Sequence, residues 1–370
     1  MTRGPVGVGV IGAGVISDQY LSNLTTFPDV AVRFIADLDV PRAEAQAQKY
    51  GVTGSGSVEQ LLADDSVEIV VNLTIPAAHA DVAHKALDAG KHVWNEKPLT
   101  TDRASATELL EHAERVGLRV ACAPDTVLGA GIQTALRAVR EGVIGTPLSA
   151  TTMMLSPGPE SWHPNPAFLF ARGGGPLFDM GPYYLTTLIS AFGSIGSVAA
   201  AASTAFPTRT VGSGPLAGSD FPVEVPTHVG ALLRFAEGGA SAQSTFSFQS
   251  ALARQGFVEI TGSDGVLVLP DPNRFDGDTE LWRRGSDEPE TLAAVGATAG
   301  RGIGVLDLAR AIRSGGSERA SGALAAHVLD VMLSIADAAD TDRFIEVASR
   351  APQPEPLPAD WDPATASDLG

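Results

Sequence analysis

Up to Gly145 the chain alternates short apolar runs with stretches of helical periodicity, and few folds accommodate that rhythm. Residues 6–11 read as a buried strand, and Ile16, Tyr20, Leu21, Leu24 and Phe27 then recur at helical spacing. Val30, Val32, Phe34 and Ala36 alternate like a strand ending at Asp37, and 41–50 reads as a helix closed by Gly51. Ser57 with Gln60 has the pattern of a capping box ahead of Leu61 and Leu62. Strands are expected at 67–73, 92–95 and 118–123, and helices at 77–89, 102–116 and 130–141. Repeated strand-helix units of this kind imply a doubly wound parallel sheet with right-handed crossovers.

After Gly145 the rhythm changes to short strand-like runs at 149–155, 198–205, 229–235, 240–248, 257–261 and 266–269. Several are joined by turn signals such as Glu237-Gly238-Gly239 and Ser263-Asp264-Gly265. Two late helices follow at 305–312 and 323–339, the second with Leu324, Val328, Met332, Ile335 and Ala339 on one stripe. The expected organisation is α/β: a doubly wound domain over 1–125, then an α+β domain over 126–350 with a large, mostly antiparallel sheet. A Pro-rich tail over 351–370 either wraps a neighbour or is disordered. A broad sheet face without helical cover is expected to be buried in a homo-oligomer, a dimer or tetramer.

Charge and cysteine usage narrow the function. A net charge of −18 repels phosphate backbones and anionic lipid, so nucleic acid and membranes are not expected partners, while a small neutral molecule is. Cys122 is the only cysteine, which excludes an internal disulfide framework and fits a reducing, cytoplasmic setting. The apolar N-terminal run is broken by glycines and lacks a cleavage pattern, so no signal peptide is expected. Nor is a run of about 18 apolar residues evident for a membrane span.

Two glycine patterns overlap, Gly7-x-Gly9-x-x-Gly12 and Gly12-x-Gly14-x-x-Ser17. A phosphate-binding turn must follow its strand, so that the first helix amides face the pyrophosphate, and only Gly12 and Gly14 stand at the end of the run. The amides at Val15 and Ile16 then begin the helix, and Ser17 takes the place of a third small residue. Asp37 ends the second strand, where a carboxylate accepts the ribose hydroxyls of a dinucleotide in a Rossmann domain. It would repel a 2′-phosphate, and Leu38 and Asp39 offer no cation, so NAD is favoured over NADP. Glu96-Lys97-Pro98 lies at the carboxyl edge of the strand at 92–95, where open α/β sheets bind ligands. The ammonium of Lys97 can polarise a substrate oxygen there. Asp179 and Tyr183 are four apart after a glycine-rich run, so a helix starting near Met180 would turn both to one side. Trp162-His163 suits the apolar face and hydroxyls of a sugar ring. No His, Asp and Glu grouping has metal-ligand spacing, so no metal is expected.

Together the Gly12-to-Ser17 turn, Asp37, Thr74 with His79, Glu96-Lys97-Pro98, Glu141-Gly142-x-Ile144-Gly145 and the Asp179 segment resemble the glucose-fructose oxidoreductase, inositol dehydrogenase and rhizopine catabolism family, Gfo/Idh/MocA. The resemblance implies that Lys97 and Asp179 are catalytic, with a histidine usually four residues after the aspartate. Tyr183 stands at that position here. It also implies that Thr74, Pro76 and His79 line the cofactor, although Ile75 displaces the proline by one place. The implied reaction moves a hydride between nicotinamide and a secondary alcohol carbon of a sugar, sugar derivative or inositol. The rivals are an NADP-dependent keto-sugar reductase and a non-catalytic dinucleotide sensor.

Overall fold

A computed structural model describes residues 4–367. The chain divides into two compact units: 1–130 with 295–329 and 354–370, and 131–294 with 330–353.

The first unit is built on six parallel strands, β1 (Val6–Ile11), β2 (Val30–Ala36), β3 (Gly54–Gly56), β4 (Ile69–Asn72), β5 (His92–Asn95) and β6 (Val120–Cys122), in the order β3-β2-β1-β4-β5-β6. The order reverses between β1 and β4, the switch point at which such sheets bind ligands. Helices α1 (Val15–Leu24), α2 (Val40–Tyr50), α3 (Val58–Leu62), α4 (His79–Asp88) and α5 (Arg103–Val116) connect the strands. The expected capping box is present, with Ser57 and Gln60 each satisfying the other's backbone N–H. Every residue of β1 is buried, and Val6, Val8 and Val10 share one core cluster with Tyr20, Leu21 and Leu24 of α1. Gly7 and Gly9 serve this packing. A Cβ at Gly7 would lie 1.7 Å from the Ser66 carbonyl oxygen, and one at Gly9 would lie 3.0 Å from Leu61.

The second unit carries helices α6 (Ala130–Arg140, from its second residue) and α7 (Gly175–Phe192), and a small hairpin of β9 (Thr208–Thr210) and β10 (Asp220–Pro222). Its large sheet comprises β7 (Pro147–Leu155), β8 (Ile195–Ser203), β11 (His228–Phe235), β12 (Ser241–Ser247), β13 (Arg254–Gly262), β14 (Gly265–Leu269), β15 (Thr279–Arg283), β16 (Glu290–Leu292) and β17 (Ile345–Glu346). These nine strands run in the order β16-β15-β14-β13-β7-β12-β11-β8-β17, antiparallel except for β7 beside β12. One face is buried, with Tyr184 of α7 edge-on to Phe246 of β12. The other carries half-buried Thr151, Met153 and Thr245 and exposed Leu232.

The strands β3, β9, β10, β15, β16 and β17 lie outside the expected runs, and three further features differ from expectation. Helix α7 starts at Gly175, five residues before the expected Met180. Gly174 is its N-cap and Pro176 sits at its first positions, where a missing N–H costs nothing. The helix α9 (Gly322–Thr341) follows α8 (Ile303–Ser314) and is long and apolar enough to cross a bilayer by length and composition, correcting the reading that no such run exists. His327 and Asp330 interrupt the run and hid it. Its most apolar window is 61% buried, and Leu324, Val328, Val331, Met332 and Ile335 are core residues. The stretch 354–367 packs on its own chain. Arg310 of α8 donates to the carbonyls of Asp362 and Thr365 and stacks on Trp361, while Ser367 donates to Asp29.

Candidate active site

In the first unit the Gly12–Gly14 turn leaves β1 and opens α1. Gly12 has φ +104°, and a Cβ there would lie 2.7 Å from the Leu73 carbonyl oxygen, so only glycine fits. Gly14 is different, because a Cβ on it would meet open space. It is the N-cap of α1 and offers no side-chain hydrogen bond to the positive end of the helix dipole. Val15 beside it is 89% exposed, and Ile16 is half-buried. Ser17 is fully buried, donates to the Gly14 carbonyl at 2.6 Å and accepts from Gln46, which explains a small third residue. This shape fits a dinucleotide phosphate: an open cradle in front of backbone N–H groups.

The Asp37 carboxylate reaches back to this turn. One oxygen accepts the Ala13 amide at 2.7 Å and the other the Asp39 amide at 2.9 Å. Each oxygen keeps further acceptor capacity for a ribose hydroxyl. The sequence reading found no cation beside Asp37. The first turn of α2 supplies one, for Arg42 lies 3.8 Å from Asp37 and 3.2 Å from Asp39.

At the carboxyl ends of β4 and β5, Asn72 and Asn95 form a buried amide pair at 2.9 Å. Asn72 accepts the Thr74 hydroxyl at 2.6 Å and donates to the His79 carbonyl at 3.1 Å. His79 is fully buried, and its ring nitrogens face the carbonyls of Pro98, at 2.6 Å, and Thr74, at 3.0 Å. It therefore ties the 74–79 loop, including exposed Pro76, to the segment that carries Lys97. Glu96 is 9% exposed; one oxygen accepts the Tyr20 hydroxyl at 2.7 Å and the other the Lys97 amide at 2.9 Å. Lys97 itself is half-buried. Burial pushes the Cys122 thiol well above its ordinary range, which removes it as a nucleophile.

In the second unit Asp179 and Tyr183 lie one turn apart within α7, with Asp179 half-buried and Tyr183 5% exposed. Tyr184 is committed elsewhere: it is fully buried, its oxygen accepts the Gly256 amide at 2.8 Å, and burial raises its pKa strongly. Trp162, 67% exposed, and His163 form an edge-to-face series with Phe168. Arg209 anchors their loop by pairing with Glu160 and donating to the Pro157 and Phe248 carbonyls.

Residues 6–123 match the model of the GFO/IDH/MocA oxidoreductase family, NAD-binding Rossmann fold, and residues 132–268 match that of the GFO/IDH/MocA C-terminal domain. Inositol 2-dehydrogenase of Salmonella typhimurium is 34% identical over 115 residues, 30% of this chain and 34% of that protein. The match thus spans about a third of that relative's length. Trans-1,2-dihydrobenzene-1,2-diol dehydrogenase of Bos taurus is 27% identical over 267 residues, 71% of this chain and 74% of the relative. Among solved structures, an NAD binding oxidoreductase from Klebsiella pneumoniae superposes with a TM-score of 0.81 at 24% identity, covering 93% of this chain and 99% of the other. A levoglucosan dehydrogenase in complex with NADH and L-sorbose superposes with a TM-score of 0.79 at 22% identity, with coverage of 93% and 99%. These two likenesses show a shared fold.

Proposed function

Because the chain belongs to the GFO/IDH/MocA oxidoreductase family, we propose that it is an NAD-dependent dehydrogenase acting on a secondary alcohol of a sugar, sugar derivative or inositol. The observation that carries this reading is the pairing, in one unit, of an open glycine cradle at Gly14 with Lys97 at the carboxyl edge of the same sheet. A dinucleotide sensor would need the cradle but would have no use for Lys97. The relatives, an inositol 2-dehydrogenase and a trans-1,2-dihydrobenzene-1,2-diol dehydrogenase, are named for cyclic alcohols.

A bound nicotinamide would supply the hydride acceptor for the alcohol carbon. The cradle at Gly12 and Gly14, with the Val15 and Ile16 amides, holds the pyrophosphate, and Asp37 holds the adenosine ribose. Thr74 and Pro76 border the cofactor through the loop that His79 braces. In this reading Lys97 polarises the hydroxyl oxygen, Tyr183 takes the hydroxyl proton, and Asp179 orients a neighbouring substrate hydroxyl. Trp162 and His163 offer an aromatic face to the ring. The half-buried sheet face around Met153 is assigned to a second subunit, and the single, buried thiol Cys122 accords with the cytoplasm.

Arg42 gives the NADP alternative a physical basis, since its guanidinium lies beside the expected ribose carboxylate. A 2′-phosphate would still meet Asp37, so NAD is preferred. The test is a panel of inositols, aldoses, sugar acids, anhydrosugars and cyclic diols, followed by reduced-nicotinamide absorbance with NAD and NADP in parallel. Turnover of cyclic alcohols with NAD is expected. Cofactor binding without hydride exchange across the whole panel would overturn the reading in favour of a sensor.

A further inference from the structure

Asp125 is fully buried just after β6, a costly place for a carboxylate unless donors surround it. The segment Arg301-Gly302-Ile303-Gly304 supplies them from the start of α8. One oxygen of Asp125 accepts the Gly302 amide at 2.8 Å and the Gly304 amide at 3.3 Å, so Asp125 caps a helix distant in sequence. The other oxygen lies 3.8 Å from the Arg301 guanidinium, a separation for Coulomb attraction rather than a hydrogen bond. The same guanidinium nitrogen lies 4.0 Å from Glu96. The two glycines make this approach possible. Gly302 has φ +104°, and a Cβ on Gly304 would lie 2.0 Å from the Trp94 ring.

The network touches α1 at several points. Arg301 donates from Nε to Gln19 at 3.1 Å, and its carbonyl accepts from Asn23 at 2.9 Å. Tyr20 donates to Glu96 and accepts from the buried Trp94 indole at 3.2 Å. Glu96 in turn accepts the Lys97 amide. A continuous path of polar contacts therefore runs from the helix that leaves the cofactor turn to the backbone of Lys97.

We propose that Asp125 and Arg301 are positioning residues that hold Glu96, and through it Lys97, in fixed register with the helix leaving the glycine turn. The inference rests on the reading of Lys97 as catalytic. Asp125 also makes the device sensitive to pH. Burial raises its carboxyl to about 6, against the opposing pull of Arg301 and the two amides, with Glu96 raising it further. The charged or titratable groups facing it are Arg301 before α8, Glu96 after β5 and Tyr20 on α1. Protonation removes one of the two carboxylates that hold Arg301, so Glu96 loses its fixed partner and kcat declines below about pH 6.

The test compares Asp125→Asn, Arg301→Lys and Arg301→Met with the parent and with Lys97→Met, in the full chain. Steady-state rates are measured with NAD and myo-inositol or levoglucosan from pH 5 to 8, alongside NADH affinity, thermal melting and amide exchange of the 95–99 segment. Asp125→Asn and Arg301→Met should lower kcat by about 10- to 100-fold, the scale of a misplacement near 1 Å, with NADH affinity unchanged. Asp125→Asn should lose the acid limb of the rate profile, and Arg301→Lys should recover part of kcat. Exchange at the Lys97 amide should quicken in Asp125→Asn and Arg301→Met, a readout that needs no substrate.

Parental exchange at the Lys97 amide in both variants would overturn the proposal. So would a loss of kcat matched by equal losses of melting temperature and NADH affinity, the mark of a purely structural role. If Lys97→Met abolishes turnover while Asp125→Asn and Arg301→Met keep the parental kcat and pH profile, only this inference falls. If Lys97→Met turns over at the parental rate, the reading of Lys97 falls and takes the inference with it.

Discussion

Replacing Asp37 by Ala should reverse the cofactor preference, and the structure gives the size of the effect. The carboxylate accepts two backbone amides, from Ala13 and Asp39, and is free to accept ribose hydroxyls as well. A hydrogen bond to a charged group contributes about 1.5–3 kcal/mol, so losing the ribose contact should weaken NADH binding by about 10- to 100-fold. The same change removes a negative charge from beside a 2′-phosphate. At roughly 5 Å and an effective dielectric constant near 20, that repulsion is about 3 kcal/mol per charge, or a further ~10²-fold in favour of NADPH. Arg42, 3.8 Å from Asp37, is then released toward the phosphate; at 54% exposure its contribution is about 1 kcal/mol. Fluorescence titration with NADH and NADPH should show the ratio of affinities moving by about 10³- to 10⁵-fold. Adding Arg42→Ala should return about fivefold of the NADPH gain. Parental NADH affinity in Asp37→Ala would refute the placement of the ribose.

Other outcomes follow from single contacts. Gly12→Ala places a Cβ 2.7 Å from the Leu73 carbonyl oxygen at a positive φ, so NADH binding should vanish and stability fall by about 1–3 kcal/mol in denaturant titration. Burial, with Arg119 next, lowers the His92 pKa from 6.5 to about 4. The unfolded chain then binds that proton first, so stability should decrease as pH falls from about 6.5 toward 4. Discounted for partial exposure, the loss is about 1–2 kcal/mol, and His92→Gln should flatten it in denaturant midpoints measured across that range. Tyr184→Phe strands the half-buried Gly256 amide and should cost about 1 kcal/mol in thermal melting without changing NADH affinity. Trp162→Ala should raise KM for sugars and leave the melting temperature unchanged, because the indole is 67% exposed.

Five of the six parallel strands were legible because each is a short apolar run bounded by a turn residue, whereas β3 is Gly-Ser-Gly and carries no such signal. Position alone separated the two glycine patterns, and packing explains the choice: Gly7 and Gly9 make room for Ser66 and Leu61, whereas Gly14 faces open space. The start of α7 was obscured because three glycines read as a loop, although Pro176 at the first helical positions was an available signal. Arg42 is not adjacent to Asp37 in sequence, and only the first turn of α2 folds it back. Asp125 and Arg301 lie far apart in the sequence, and neither carries a local pattern that announces the other. The docking of 354–367 against Arg310 and Asp29 was equally silent, since Pro-rich composition describes the backbone but not what it lies upon.

The most direct test of the account is Lys97→Met, assayed for NADH affinity and for turnover of cyclic alcohols with NAD in one preparation. Parental affinity is expected, with kcat reduced by about 10²- to 10⁴-fold, the span of a positioned acid-base group. Parental turnover on every substrate the unmodified chain oxidises would contradict it.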